Sequence, residues 1–381
     1  MDSTNHQQAY RLMTLCARTG QPEGFQDSLR AVLHTFSGWD TLPAQAEQHG
    51  MGPLLWYHLR EEKIPSETRR ALQGLYLRNR ALNQIHAETL RDLLETLERH
   101  DIRPLLLKGL ALAWQIYPDP ALRPVSDIDL FVNKEQLLPT IEALRRAGYQ
   151  FEPIPPSLPK AINAYAPPRA GITIHLELHH YDPAHRLESE PSPDDEFRDL
   201  HEAPQQIRIL NRQVLTSSPL DTLLYLMRHL VIHLFLARTN RPIALKWIAD
   251  IISLIEAQVD AVDWSALDRR DPLFRRRLAV LYSLTPACEK VRARLHLESP
   301  APMGKLGTYP EGWPQWPFPN WREVGFWRYV WMTFAPAPEW WLRLGYGIDK
   351  GSTMWHAHVV YRAHLLRRMG WALARRLSAF F

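Results

Sequence analysis

The stretch "PLLLKGLALAWQIYPDPALRPVSDIDLFV", residues 104–132, decides the fold. Near its end, Asp127 and Asp129 alternate with apolar residues. Because residues two apart in a strand point to the same face, the two carboxylates aim together while Ile128 and Leu130 enter a core. Neighbouring carboxylates raise each other's pKa unless a cation lies between them. The pattern predicts a buried strand that presents two acids to a cation; acids that face water on a one-sided sheet are the alternative.

A third acid lies in a second predicted strand, "GITIHLELHH" at residues 171–180. Apolar and polar residues alternate there with a period of two, which is typical of a half-buried strand. Glu177 lies between two leucines and points away from the apolar side, as does His179. If this strand lies beside the first one, Glu177 supplies a third carboxylate to the same face. Oxygen ligands of this kind suit Mg²⁺, usually together with substrate phosphates.

The first part of the 104–132 stretch predicts a phosphate-binding turn. The apolar residues 105–107 predict a short strand, and residues 110–116 predict a helix. Lys108 and Gly109 stand between them. A glycine at the start of a helix lets a phosphate approach the backbone N–H groups.

Composition narrows the class of protein. The chain has 381 residues, of which 45% are hydrophobic and 23% charged, and a formal net charge of +4. This modest positive charge leans towards anionic partners, but we expect no extensive binding of duplex nucleic acid, which needs many Lys and Arg on one surface. Two cysteines are too few for a disulfide framework, which favours a cytoplasmic location. The longest apolar run carries four polar interruptions, so we expect no transmembrane segment and, from the polar start of the chain, no secretory signal.

Patterning divides the chain into four ranges. Residues 1–100 predict a helical N-terminal region and residues 101–215 an α/β core. Residues 216–297 predict a helical domain. Residues 298–381 are rich in Trp and Pro and end in a basic amphipathic helix, for which packing on the protein is favoured over peripheral contact with a membrane. The predicted fold class is α+β, with a small mixed β-sheet core flanked by helical N- and C-terminal regions.

These motifs resemble the uncharacterised nucleotidyltransferase family of the DNA polymerase beta-like nucleotidyltransferase superfamily. The family pattern reads "LLKG", then R-x-x-x-D-I-D-L, then an acid before "LH"; "LKWIADI" at residues 245–251 resembles its helical part. The resemblance covers roughly residues 30–280. The matching positions are Lys108, Gly109, Arg123, Asp127, Asp129, Glu177 and His179.

The resemblance implies Mg²⁺-dependent transfer of a nucleoside monophosphate from a nucleoside triphosphate, with ATP favoured, and release of pyrophosphate. Asp127 and Asp129 would hold two Mg²⁺ ions, with Mn²⁺ as an alternative, and Glu177 would bind the ion that activates the acceptor. The acceptor stays open: a protein, a peptide, an RNA 3′ end or a small molecule. The alternatives are a non-catalytic nucleotide- or RNA-binding module and a phosphotransferase that uses the same metal site.

Several residues are predicted to contact the nucleotide. Lys108 and Gly109 form the phosphate turn, although Leu110 stands where many superfamily members have a serine. Lys246 is expected to reach a phosphate and Trp247 to stack on a base, with a core Trp beside a surface Lys as the alternative. The remaining predicted residues are Arg123 on a phosphate or in solvent, Ser126 at the metal site or as a cap, and His179 behind the metal ligands.

His229 and His233 share one face of a predicted helix, as zinc ligands can. No third ligand accompanies them in the spacing that zinc proteases use. Helix packing or polar contacts with a substrate are therefore favoured over zinc.

Overall fold

The computed structural model describes most of the first 296 residues and little of the rest. The described residues are 3–155, 159, 161–180, 204–236, 243–296, 313–314, 325, 327, 338–348, 359 and 363. Most of the predicted C-terminal amphipathic helix and most of the Trp-rich region lie outside them. Within the described part, no helix has the length and apolar character needed to cross a membrane.

A seven-stranded mixed sheet forms the centre of the α/β part, in the order β3-β4-β5-β2-β1-β7-β6. The strands β2 and β5 are parallel neighbours, and β4 and β1 flank them in antiparallel orientation. The strands are β1 Leu105–Leu106, β2 Asp127–Val132, β3 Gln150–Phe151, β4 Ala161–Tyr165, β5 His175–His180, β6 Gln205–Ile209 and β7 Arg212–Thr216.

Helices precede, cover and follow this sheet, and the predicted α+β class with flanking helical regions is confirmed. The first five are α1 Ser3–Leu15, α2 Phe25–Thr35, α3 Leu42–Gln48, α4 Gly52–Leu59 and α5 Ser66–Glu98. The sheet region adds α6 Lys108–Gln115, a 3₁₀ turn Pro120–Leu122, and α7 Lys134–Arg146. The later helices are α8 Pro219–Leu236, α9 Leu245–Gln258, α10 Trp264–Arg270, α11 Phe274–Leu284, α12 Glu289–Leu295 and α13 Glu339–Tyr346.

One face of the sheet is buried under α5, α6 and α7. Strand alternation sends Ile128 and Leu130 of β2 and Leu176 and Leu178 of β5 into this core, where each is at most 1% exposed. The alternate residues of the same strands, which include the acids, therefore point to the opposite face.

A second core joins the N-terminal helices to the later ones. Leu12 of α1 and Phe25 of α2 share it with Ile252 of α9, Phe274 of α11 and Trp341 of α13. The predicted division into four ranges stays a prediction, but residues from all four ranges contribute to this one core, since Leu112 and Ile116 of the 101–215 range also belong to it.

Two strands near the acids differ from the patterning. The predicted strand at 171–180 begins only at His175, because Gly171 takes a left-handed φ of +76° in a turn whose flanks, Arg169 and Ile172, bridge each other. The strand β4 is not apparent in the sequence, since it offers only two buried apolar residues after a Pro-rich segment.

Candidate active site

The pairing of β2 with β5 assembles the acidic face. In their register Asp127 lies beside His175, and Asp129 lies beside Glu177. Directly paired residues of neighbouring strands project to the same side of the sheet. The structure therefore brings together the three acids that the sequence places in two separate strands.

Two groups on this face have the spacing of metal ligands. One joins Asp127, His175 and Glu177, and the other joins Asp129, Glu177 and His179; in each group the ligand atoms lie within 4.8 Å of one another. Glu177 belongs to both groups. Two ligand groups that share one carboxylate can hold a pair of divalent ions side by side. Carboxylate oxygens are ligands that hard divalent ions prefer, so the residues fit Mg²⁺ or Mn²⁺.

Asp129 contacts two basic side chains of the site. Its Oδ1 atom lies 2.9 Å from Lys108 Nζ and 2.9 Å from His179 Nε2, and its side chain is only 1% exposed. Burial by itself raises the pKa of Asp129, but Lys108 and His179 outweigh burial and hold this pKa well below the usual range. These two partners therefore favour the ionised form of Asp129.

The other two acids have opposite pKa shifts. Burial and the nearby charge of Asp129 raise the pKa of Asp127. The hydrogen bond with His179 lowers the pKa of Glu177, and the distance from His179 Nε2 to Glu177 Oε2 is 3.4 Å. Burial would lower the pKa of His179, but its hydrogen bonds with Asp129 and Glu177 raise it overall. The crowding of negative charge around Asp127 favours a bound cation.

The turn before α6 carries backbone strain. Lys108 has a backbone φ of +30°, a left-handed value that residues other than glycine rarely adopt. Its Nζ lies 5.8 Å from the centroid of the Tyr225 ring, in addition to its contact with Asp129. Leu110, at the position of the expected hydroxyl, is 1% exposed and packs in the core under the sheet. The turn therefore relies on backbone N–H groups and Lys108 for any contact with a phosphate.

Arg123 lies behind this turn in a buried ion pair with α9. Its Nη2 is 2.8 Å from Asp250 Oδ2 and its Nε is 3.2 Å from Asp250 Oδ1, and Tyr117 donates a third hydrogen bond to the same carboxylate at 2.8 Å. A Cβ atom on Gly109 would lie 2.9 Å from Arg123 Nη1. Gly109 is thus required for the guanidinium to pack against the turn, while a direct contact of Arg123 with nucleotide stays a prediction.

The helices α8 and α9 contact each other through a cluster of aromatic and imidazole rings. The ring of Trp247 packs against His229 at 5.2 Å and His233 at 4.6 Å, and the two imidazoles lie 4.4 Å apart. Burial and the charge of Lys108 lower the pKa of His229 well below 6.5. The two histidines pack with Trp247, as favoured from the sequence, and stacking of Trp247 on a base stays a prediction.

Lys246 and Ser126 also lie at the site. Burial and the charge of Arg123 lower the pKa of Lys246 to about 8, and Asp127 and Lys108 are among its electrostatic neighbours. Ser126 Oγ donates a hydrogen bond of 3.1 Å to Asp127 Oδ1.

Two residues of the site are absent from the predicted set. His175 joins Asp127 and Glu177, and the alternation of "HLELHH" does place it on the Glu177 side. Asp250 holds Arg123, but it lies 127 positions away in sequence, so no local pattern connects the two.

A comparison of the chain with protein-family models finds a nucleotidyltransferase family whose match includes the acidic site. The model of a family described as uncharacterised nucleotidyltransferase matches residues 36–289. No curated protein matches the chain.

Three solved structures show a distant likeness. The crystal structure of ANT(2″)-Ia in complex with adenylyl-2″-tobramycin has 14% identity and a TM-score of 0.34, and the match covers 51% of this chain and 99% of that one. The solution structure of the antibiotic-resistance factor ANT(2″)-Ia has 14% identity and a TM-score of 0.33, with 52% and 96% covered. An antigenic nucleotidyltransferase-like protein from Paracoccidioides brasiliensis has 16% identity and a TM-score of 0.28, with 58% and 96% covered.

Proposed function

This chain belongs to the uncharacterised nucleotidyltransferase family, and on that premise we propose that it transfers a nucleoside monophosphate from a nucleoside triphosphate to an acceptor hydroxyl. Pyrophosphate is the second product. The observation that carries the proposal is the convergence of Asp127, Asp129 and Glu177 on one face of the sheet, beside the Lys108 turn.

The three carboxylates are the proposed metal ligands. Asp127 and Asp129 would hold two Mg²⁺ ions together with Glu177, and Mn²⁺ would substitute for Mg²⁺. When bound, such ions polarise the α-phosphate, favour ionisation of the acceptor hydroxyl and neutralise the leaving pyrophosphate. Ser126 orients Asp127 through its hydrogen bond, and His179 orients Asp129 and Glu177.

The cationic side of the acids is the proposed triphosphate site. Lys108 is the proposed phosphate contact, and its ion pair with Asp129 places the ammonium beside the acids. Gly109 and the first N–H groups of α6 contact phosphate oxygens. Lys246 adds a second cation and Trp247 contacts the base, while Arg123 holds the turn in place through Asp250.

The proposed transfer makes one bond and breaks one bond at the α-phosphorus of the nucleoside triphosphate. The acceptor oxygen forms a bond to the α-phosphorus, and the bond between that phosphorus and the bridging oxygen breaks, so that the electron pair leaves with pyrophosphate. Glu177 is the proposed acceptor of the hydroxyl proton, because its carboxylate lies on the same face as Asp127 and Asp129 and on the side towards β4. The proton then passes to solvent.

The experiment follows labelled ATP with Mg²⁺ and fractionated cell extract. The α-label in an acceptor adduct, with the γ-label in pyrophosphate, supports nucleotidyl transfer. The γ-label in an acceptor adduct, with the α-label in ADP, supports a phosphotransferase. Asp127→Asn should abolish labelling, and Asp40→Asn, at an exposed acid, should leave it unchanged. ATP binding without either product would support a non-catalytic module instead.

A cytoplasmic location also stays a prediction. It is supported by Cys16 and Cys288, which are not in a disulfide in the structure.

A further inference from the structure

The acidic face continues outward beyond Glu177 onto β4 and β3. In the β4–β5 register Asn163 lies opposite Glu177, and Tyr165 lies opposite His175. Paired residues project to the same side, so Asn163 and Tyr165 share the face of the acids. We call Gln150, Glu152, Asn163, Tyr165 and His175 the outer shelf.

Glu152 is the fixed negative charge of the outer shelf. Asn163 Nδ2 donates to its Oε2 at 2.8 Å, and Tyr165 Oη donates to its Oε1 at 2.9 Å. The bond from Asn163, followed by that from Tyr165, lowers the pKa of Glu152. Each carboxylate oxygen accepts one of these hydrogen bonds and has lone-pair capacity for another, so the group is oriented and still able to accept from a ligand.

An open aromatic ring lies beside this carboxylate. Tyr165 is 37% exposed, and its ring lies 5.3 Å from that of His175 at an interplanar angle of 37°. The ring is thus available for contact with a cation or with an apolar part of a ligand.

Charge separates the two sides of the acids. Among the described residues of β3 to β5 that share this face, none is Lys or Arg. The cations Lys108 and Lys246 lie on the other side, towards β1 and α9. The sheet order β4-β5-β2-β1 puts the outer shelf and the phosphate turn on opposite flanks of the acids.

We propose that the outer shelf binds the acceptor, and that the acceptor carries an ammonium or guanidinium group in addition to its hydroxyl. This inference rests on the proposed function. The hydroxyl lies at Glu177 and the cation at Glu152, two strand spacings away, which is about 10 Å. An RNA acceptor would instead place its phosphates against the Glu152 carboxylate, which is unfavourable.

Matched pairs of probes test the charge preference by binding. One pair is the β-1,4 dimer of glucosamine and the dimer of N-acetylglucosamine; the other is acetyl-Ser-Gly-Gly-Arg-amide and the same peptide with citrulline. A pentamer of adenylate RNA is the anionic probe. With Mg²⁺ and a non-hydrolysable ATP analogue present, the cationic member of a pair should bind about tenfold more tightly, as expected for an exposed ion pair plus a cation–π contact. Preference within the sugar pair or the peptide pair identifies the source of the acceptor.

Glu152→Gln should remove this preference to within about twofold, while Glu135→Gln, an exposed acid on α7, should keep it. Tyr165→Phe, which keeps the ring, should reduce the preference by a smaller factor. This variant replaces Glu152→Gln as the test if Glu152→Gln unfolds the protein. Equal affinities in both pairs, a preference that survives both variants, or tightest binding of the RNA would overturn the proposal.

Turnover separates this inference from the proposed function. Glu135→Gln should keep the affinity for the ATP analogue and the release of pyrophosphate from ATP, both of which Asp127→Asn should lose. Glu152→Gln should keep the affinity for the ATP analogue, because Glu152 lies on the opposite flank of the acids from Lys108. A wild-type protein that turns over ATP but shows no cation preference counts against the outer shelf alone. Absence of Asp127-dependent turnover in the wild-type protein counts against the proposed function.

Discussion

The two flanks of the acids are built in different ways. On the phosphate-turn flank, Lys108 and Arg123 are held by Asp129 and Asp250 in ion pairs whose carboxylates are at most 1% exposed. On the outer shelf, Glu152 and Tyr165 are exposed and bonded mainly to each other and to Asn163. Buried pairs fix geometry before a ligand arrives, whereas an exposed polar surface adapts to the ligand at lower cost in stability. Under the proposed function, the buried flank would bind the triphosphate and the exposed flank would bind the acceptor.

Removing the partner of Arg123 should have the largest effect. Asp250→Ala leaves a buried guanidinium without its carboxylate, so the free energy of unfolding should fall by about 3–5 kcal/mol. Urea denaturation measures this loss. Asp260→Ala breaks an exposed ion pair with Lys290 and should cost less than about 1 kcal/mol. Similar losses in the two variants would mean that the buried pair does not stabilise the turn flank.

A methyl group at the turn should disturb the same flank less. Gly109→Ala places a Cβ atom 2.9 Å from Arg123 Nη1, which Asp250 holds in place. We expect a loss of about 1–3 kcal/mol of stability and weaker ATP binding. Gly74→Ala is the matched control, because a Cβ there meets nothing within 4 Å inside α5. It should stabilise the helix by about 0.5–1 kcal/mol, and a similar gain at Gly109 would contradict the close packing of the turn.

Lys108 tests the charge of the turn. Lys108→Ala should weaken binding of Mg²⁺–ATP at least about tenfold, because the turn has no hydroxyl to replace the ammonium. Isothermal titration calorimetry measures the affinity, and Lys63→Ala at an exposed position is the control. An unchanged affinity would remove Lys108 from the triphosphate site. Binding of the cationic probes to the outer shelf should change little in either variant.

The smallest expected effect is a pH dependence confined to the turn flank. Burial lowers the pKa of Lys246 to about 8, so its positive charge is present below pH 8 and is lost above it. Affinity for Mg²⁺–ATP should therefore fall about three- to tenfold as the pH rises from 7 to 9. Lys246→Met should flatten this profile, and Lys63→Met should not. A steep profile in Lys246→Met would assign the titration to another group.

The sequence predicted the local parts of the site and missed the contacts between distant segments. Alternation in "DIDLF" and "HLELHH" was sufficient to place Asp127, Asp129 and Glu177 on strand faces, because a period of two is a local property. The parallel pairing of β2 with β5 is not a local property, since it joins segments about fifty residues apart.

The partners of Arg123 and the outer shelf illustrate what patterning cannot reach. Arg123 reads as a loop residue, yet Asp250 on α9 draws it into the interior. Asn163 and Tyr165 lie in a strand with too few apolar residues to be recognised. Both depend on tertiary packing, which no window of local sequence contains.

The central claim is that Asp127, Asp129 and Glu177 form one divalent-metal site. Electron paramagnetic resonance of added Mn²⁺, with a non-hydrolysable ATP analogue present, measures it most directly. We expect two bound Mn²⁺ ions per chain in the wild-type protein. Asp127→Asn and Glu177→Gln should lose Mn²⁺ binding, and Asp40→Asn should keep it. Mn²⁺ binding that is absent from the wild-type protein, or unchanged in Asp127→Asn and Glu177→Gln, would contradict it.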